Sequence, residues 1–306
     1  MGAGVRHPLC TTDLKGFLSL TEPNVTFAAS KKDKPATDWV AEVKSFAWLI
    51  LAVLAVWSFV AKPFYIPSES MMPTLIKGDR LVVTKYPYGY SYVSPAPFHL
   101  VPFLHGRLFG RMPQRGDVVI LKPPAEDSDY IKRVIALPGD RIEVREGVII
   151  LNGVPVPRVP LSPARIPVDA NVPCDSMAEA QFRKTEADGK DYCELPRFRE
   201  TLPNGVSYDT IDDGYRPGIP DDFPEITVPA NQVFLMGDNR DESADSRVPQ
   251  SNNGLGGPVP WENIGGRAEF ITFSYDGSTS YFNPISWVSA LRHGRAGTSL
   301  RPQHGK

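Results

Sequence analysis

The sequence predicts a mainly β protein: an antiparallel-sheet core that carries an inserted cap region and is preceded by one transmembrane helix. Three observations carry that expectation. The 306-residue chain holds 31 Pro and 25 Gly, well above the roughly 12 % of these residues in an average chain. Those helix breakers avoid one stretch, since no Pro or Gly occurs from Ala36 to Lys62 and all but three prolines (Pro8, Pro23, Pro35) lie beyond it. After Lys62 the apolar residues come in short β-branched runs bounded by turn signals, the pattern of antiparallel strands and hairpins.

Taken in order, residues 1–43 are polar, mixed in charge and without period, and are expected to form a largely disordered tail. Residues 44–62 are the expected anchor. Between Lys44 and Lys62 runs SFAWLILAVLAVWSFVA, seventeen residues without a charge. At 1.5 Å per residue they cover about 26 Å, close to a bilayer's hydrocarbon thickness. A cleaved leader would begin near Met1 and end at a small-residue site. This run begins beyond residue 40 and is followed by Lys-Pro-Phe-Tyr, so an uncleaved span is expected rather than a leader or a buried core helix. Lys31, Lys32, Lys34 and Lys44 precede the span, against Lys62, Lys77 and Arg80 after it. That weak excess favours an internal N-terminus.

Residues 63–283 form the expected β domain, with strands at RLVVTKY, GDVVILK, YIKRVIAL, GDRIEVREGVIILNG, ITVPANQVFLMGD and RAEFITFSY. Two stretches interrupt the texture. Pro95–Pro113 mixes aromatic and basic residues, suited either to lipid headgroups or to a covering loop. About 155–224 is rich in Pro and Asp and reads as a cap inserted between core strands, and 284–306 reads as a C-terminal tail. Cys174 and Cys193 lie nineteen positions apart with no Cys-x-x-Cys or His partner to suggest zinc. In an exported domain they can pair or remain two thiols.

Chemistry concentrates in three segments. In Ile66-Pro-Ser-Glu-Ser-Met-Met-Pro-Thr-Leu75 two serines flank one residue in a Pro-bounded turn just past the span, although such a turn is by composition usually a linker. In Asp129-Tyr-Ile-Lys-Arg-Val-Ile-Ala-Leu-Pro-Gly-Asp140 the consecutive Lys132 and Arg133 of an apolar strand point to opposite faces. A lysine held among apolar neighbours gives up its proton more easily and can act as a base; the alternative is a snorkelling surface lysine. Gly237-Asp-Asn-Arg-Asp-Glu-Ser-Ala-Asp-Ser-Arg247 packs charges directly after an apolar strand, without the central Gly and terminal Glu of a calcium loop. No histidine sits in a triad-like setting, and there is no His-Glu-x-x-His and no phosphate-cradling Gly-x-x-x-x-Gly-Lys. A net charge of −2 offers nucleic acid no bulk attraction. No cofactor and no metal are expected.

In this order, PSESMMPTL, RGDVVILK, DYIKRVIALPGD, GDNRDESADSR and GGRAEFITFSYD resemble the bacterial type I signal peptidases, membrane-anchored Ser/Lys endopeptidases, over roughly Pro63 to Asp276. The resemblance implies removal of signal peptides from exported precursors, with cutting after small residues at −1 and −3. It gives Ser70 as nucleophile and Lys132 as general base. Ser68 and the Ser70 N–H would form the oxyanion hole, Ser243 would orient the lysine, and Arg133, Asp238, Asp245 and Arg247 would be structural supports. Phe64, Ile66, Met71, Leu75, Tyr130 and Ile131 match substrate-pocket positions. It further implies a single-pass protein of the bacterial inner (plasma) membrane, N-terminus cytoplasmic and catalytic domain outside, with precursors, membrane lipid and the secretion translocon as partners.

Three features depart from that pattern. Glu69 stands between the serines where many relatives have glycine or another residue; an anion there is tolerated if it points to solvent, the alternative being that it disfavours acidic residues near the scissile bond. VPQSNNGLGGPVPWENIGG is longer than the usual link, and one span replaces the two of several well-known members. Two other readings stand beside the first. One is a dedicated Ser-Lys relative, such as a conjugation-system peptidase or a self-cleaving repressor; the other is an inactive, tethered β scaffold, against which intact Ser70, Lys132 and Ser243 argue.

Overall fold

A computed structural model describes residues 38–95, 106–124, 128–176, 179–280 and 282–304. Most of the expected tail 1–43, and residues 96–105 of the Pro95–Pro113 stretch, lie outside the described residues. The described part of that stretch is tied down by Arg107, whose guanidinium donates to the carbonyls of Gly89 at 3.0 Å and Trp261 at 2.9 Å.

Helix α1 (Trp39–Phe59) forms where breakers are absent. Asp38 caps it, its carboxylate accepting from the N–H groups of Val40 at 3.1 Å and Ala41 at 3.2 Å, as an N-cap acid does. Its apolar side chains are exposed all round, Trp48 to 72 %, and its most apolar window is unburied. A long helix apolar on every face is built for lipid. Lys62 of the expected 44–62 segment is not helical, because the next strand begins at Ala61.

Chain order then runs β1 (Ala61–Tyr65), β2 (Asp79–Thr84), β3 (Val118–Leu121), β4 (Tyr130–Ala136), β5 (Arg141–Arg145), β6 (Val148–Leu151), β7 (Val154–Pro155) and β8 (Arg158–Pro167). It continues through β9 (Arg183–Thr185), β10 (Asp191–Thr201), β11 (Val206–Ile211), β12 (Phe223–Thr227), β13 (Gln232–Met236), β14 (Val259–Pro260) and β15 (Ile264–Ser274), then α2 (Pro284–Ser289) and β16 (Gln303–His304). The first sheet has the order β1-β2-β15-β3-β4-β13-β14. A second has the order β16-β11-β10-β8 with β9 on β10, and a third the order β12-β5-β6-β7. The strand pairs are antiparallel, as expected for a mainly β protein.

Both faces of the central strand β3 are buried, which explains its continuous apolar run. Val118 and Ile120 join one core with Ile66, Met71, Leu75, Leu81, Val83 and Ile131, while Val119 and Leu121 join another with Val134, Val233 and Leu235. The second sheet comes largely from the expected cap, which supplies β8, β9, β10 and β11. Its core contains Ala164, Ile166, Leu195 and Ile211 with Met72 and Ile76. Cys174 and Cys193 are joined by a disulfide inside it. The C-terminal residues are packed too: Leu300 lies in the core of the first sheet, and Arg295 pairs with buried Asp79 at 2.5 Å.

Candidate active site

The turn after β1 is fixed by two cores at once. Met71 and Leu75, four apart, enter the core of the first sheet, and Met72 and Ile76, also four apart, enter that of the cap. Leu75 N–H donates to the Met71 carbonyl at 2.8 Å, closing a helical turn between them. That spacing puts each pair on one face and leaves Ser70 at the head of a clamped segment, only 6 % exposed. The segment is a fixed platform, not a linker.

On β4, Lys132 faces Val119 across the strand pair and Arg133 faces Val118, so the two cations leave on opposite faces as expected. Lys132 is 3 % exposed and its Nζ donates to Ser70 Oγ at 2.8 Å. Burial lowers its pKa from 10.5 to about 8, with the negative charge of Asp245 working against the shift; loss of water disfavours the ammonium form. Ser68 Oγ lies 3.5 Å from Ser70 Oγ.

Arg133 makes a two-pronged pair with Asp238, at 2.7 and 2.6 Å, and lies over the Tyr208 ring. Asp245 and Arg247 are paired at 2.8 Å, and Asp245 also accepts from Gly237 N–H at 3.0 Å. The Asp245 pKa is lowered: burial alone would raise it, but the Arg247 charge and these hydrogen bonds outweigh burial. Ser243 departs from expectation. Its buried Oγ has no hydrogen-bond partner among the described residues, so the expected bond to Lys132 is not made. Ser243 sits across Gly237 from the Ser70 carbonyl, a gap so narrow that a Cβ on Gly237 would strike both.

Of the six pocket residues, Ile66, Met71, Leu75 and Ile131 are brought together in one core with Phe64 packed against it. Tyr130 is not part of it, packing on the opposite core with its ring 5.4 Å from Lys132 Nζ. Ile66, Met71 and Leu75 are at most 1 % exposed, so they back the site rather than line an open cavity. Among the described residues no three His, Cys, Asp or Glu are grouped to hold a metal ion.

Residues 38–273 match the family described as signal peptidase, peptidase S26. The chain belongs to this peptidase family. Signal peptidase I of Rickettsia typhi is 35 % identical over 272 residues, covering 83 % of this chain and 91 % of that protein. Signal peptidase I of Rickettsia bellii is 32 % identical over 310 residues, covering 94 % and 92 %. A solved signal peptidase I from Enterococcus faecalis is 23 % identical and covers 51 % of this chain and 97 % of its own, with a TM-score of 0.25, too low for the superposition to bear on the fold. As a member of the signal peptidase family the chain is a hydrolase of signal-peptide processing, and α1 fits a membrane anchor.

Several residues that shape this candidate site carry no signal of their own in the sequence. Asn239 holds the serine turn through its N–H to the Ser70 carbonyl at 3.1 Å and its Nδ2 to the Glu69 carbonyl at 3.3 Å. Arg240, 2 % exposed, donates to the Gly237 carbonyl at 3.2 Å and pairs with Glu200 of β10 at 2.5 Å; Tyr208 of β11 donates to the same carboxylate at 2.9 Å. Only the pairing of cap against core brings Glu200 and Tyr208 here. Asn239 and Arg240 stand within the motif segment, whose register could have flagged them.

Proposed function

We propose that this enzyme removes N-terminal signal peptides from exported precursors by a Ser-Lys dyad, cutting after small residues at −1 and −3. The observation that carries the proposal is the buried contact between Lys132 Nζ and Ser70 Oγ at 2.8 Å. With Lys132 neutral the bond reverses: the Ser70 hydroxyl donates to the amine lone pair, and the oxygen attacks the scissile carbonyl as its proton moves to Nζ. The ammonium then gives that proton to the departing amine. A water activated by the same lysine releases the acyl group.

The Ser68 hydroxyl and the Ser70 N–H are the donors for the oxyanion, each worth roughly 2.7–4 kcal/mol in the transition state. The buried, unpartnered Ser243 hydroxyl is the group left over beside Ser70 to hold Nζ once the proton has moved. Asp238, Arg133, Asp245 and Arg247 keep the neighbouring backbone in place. The substrate adds as a strand along the edge of β1, which among the described residues pairs in the sheet with β2 alone; backbone bonds then supply affinity with little sequence demand. Phe64 and Ile131, backed by the buried Ile66, Met71 and Leu75, form the apolar wall on one side, Tyr130 belongs to the core opposite, and the packed surface admits only small side chains.

Ser70 follows the helix end by eleven positions, close enough to meet a cleavage site as it leaves the bilayer. The proposed arrangement is a tail (1–43) in the cytoplasm, a span (44–62) in the inner membrane, and a catalytic domain (63–283, cap about 155–224) outside with a C-terminal segment (284–306). Precursors, lipid and the translocon are its partners. The test is incubation of the full-length enzyme with several unrelated precursors ending in Ala-x-Ala, reading cut sites by mass spectrometry. Wild type is expected to cut each after the motif, and Ser70→Ala and Lys132→Ala to lose at least about 10³-fold. Full activity in either variant would overturn the assignment.

A further inference from the structure

The turn that carries Ser68 and Ser70 belongs to a loop closed at its base and gripped from the C-terminal segment. Ile66 N–H donates to the Asp79 carbonyl at 2.9 Å and Gly78 N–H to the Ile66 carbonyl at 3.0 Å, so residues 66–79 leave β1 and enter β2 through one neck. At the neck the buried Asp79 carboxylate accepts from Ile76 N–H at 2.9 Å. Arg295 grips both oxygens of that carboxylate, through Nε at 2.8 Å and Nη2 at 2.5 Å, and Nη2 also donates to the Thr74 carbonyl at 3.1 Å. Thr74 lies in the helical turn that the Leu75-to-Met71 bond closes directly after Ser70. Arg292 holds the other side: Nη1 donates to the Lys77 carbonyl at 2.7 Å and to Ser274 Oγ at 3.0 Å, while Nε and Nη2 pair with Asp169 of the cap, each at 2.8 Å. Gly78 between them has a φ of +101°, and a Cβ there would strike the Tyr275 carbonyl and Asn171 Nδ2. The two arginines are themselves fixed, because their segment is stitched to β15 by Arg292 N–H to the Ser274 carbonyl at 2.9 Å, Gly297 N–H to the Ile271 carbonyl at 2.7 Å and Leu300 N–H to the Glu269 carbonyl at 2.8 Å.

A two-pronged guanidinium on a buried carboxylate sets orientation as well as distance. Resting on the reading of Ser70 as nucleophile, we propose that Arg295, with Arg292 beside it, is a positioning residue for the reaction. It holds the far end of the serine turn so that Ser70 Oγ stays at Lys132 Nζ and the oxyanion donors of Ser68 and Ser70 stay aligned. The segment after β15 thus completes the site from outside it. The substrate backbone is read by β1, which precedes the neck, so loosening the loop slows chemistry and spares binding. A misplacement of about 1 Å costs on the order of 100-fold in rate.

The test compares full-length wild type with Arg295→Lys, Arg295→Ala and Arg301→Ala in detergent micelles, on a precursor with Ala-x-Ala before the cut, with kcat taken per folded enzyme from circular dichroism. Arg295→Lys keeps a cation for Asp79 but cannot span both carboxylate oxygens and the Thr74 carbonyl; kcat is expected to fall roughly three- to tenfold with KM within about twofold. Arg295→Ala is expected to lose about 10- to 100-fold in kcat, again with KM nearly unchanged. Arg301 belongs to the same segment but pairs with Glu269 of β15 at 2.5 Å, off the loop, and Arg301→Ala is expected to keep kcat within about twofold. A kcat within about twofold of wild type in either Arg295 variant, a loss confined to KM, or an equal loss in Arg301→Ala would overturn the proposal. Arg295→Lys decides the matter even if Arg295→Ala does not fold. Failure of wild type to cut the precursor, or its cutting by Ser70→Ala, would instead overturn the underlying dyad.

Discussion

Lys132 is a cation-forming side chain placed where a cation is disfavoured. Among the described residues its Nζ bonds only to Ser70 Oγ, and burial lowers its pKa from 10.5 to about 8. Between those two values the unfolded chain binds more protons than the folded one. Stability therefore rises with pH from about 8 to 10.5, and below about 8 the full cost of burying the charge is present. Lys132→Met is accordingly expected to abolish activity yet raise stability at pH 7 by about 1–3 kcal/mol, after allowing for the lost hydrogen bond. Thermal unfolding in detergent checks this; a lower midpoint than wild type would contradict it. The site was partly legible at this scale: Ile131, Val134 and Ile135 announced a dry setting for Lys132, and Arg133 left on the opposite face as strand alternation requires. Ser243 was not legible, because the rotamer of a hydroxyl depends on its neighbours in space and leaves no trace in sequence spacing.

The elements around Ser70 and Lys132 are held by buried ion pairs and shared cores. Arg133 and Asp238 are each at most 4 % exposed, so removing one partner strands the other without water. Asp238→Ala should destabilise the domain by about 3–5 kcal/mol, whereas the double change Arg133→Met with Asp238→Leu should cost far less. Chemical denaturation of the two variants distinguishes them, and equal losses would show that the pair is not coupled. The central strands β3 and β4 were legible because burial on both faces imposes apolar, largely β-branched runs such as VVIL in β3. The cap strands were not, since β10 is interrupted by charges and Pro196 and pairs along its length with a Pro-containing β8. There, hydrogen bonding across strands overrides weak local propensity. The anchor's end shifted for a related reason: pairing of Ala61 with Thr84 and Lys62 with Val83 draws those residues into β1.

At the scale of the whole molecule, the Pro and Gly excess and its single gap mark a division between one helix for lipid and a β domain. The segment 284–306 is more than a tail, because Leu300, Arg292 and Arg295 close the core and pair with Asp169 and Asp79; in sequence their Arg- and Gly-rich setting looks like solvent-exposed chain. The proposed orientation predicts that protease added outside spheroplasts digests the domain after residue 62 and spares the tail, and protection of the domain would reverse the orientation. Anchor, clamped serine turn and buried lysine act together in one observable: kcat/KM of the full-length enzyme in lipid vesicles, measured from about pH 6 to 10 on a precursor with no ionisable group near the cut. In the proposed dyad the lysine must be neutral to act, so the rate is expected to rise about tenfold per pH unit and level off above about 8. A rate independent of pH across that range, or one already level near pH 6.5, would contradict Lys132 as the base.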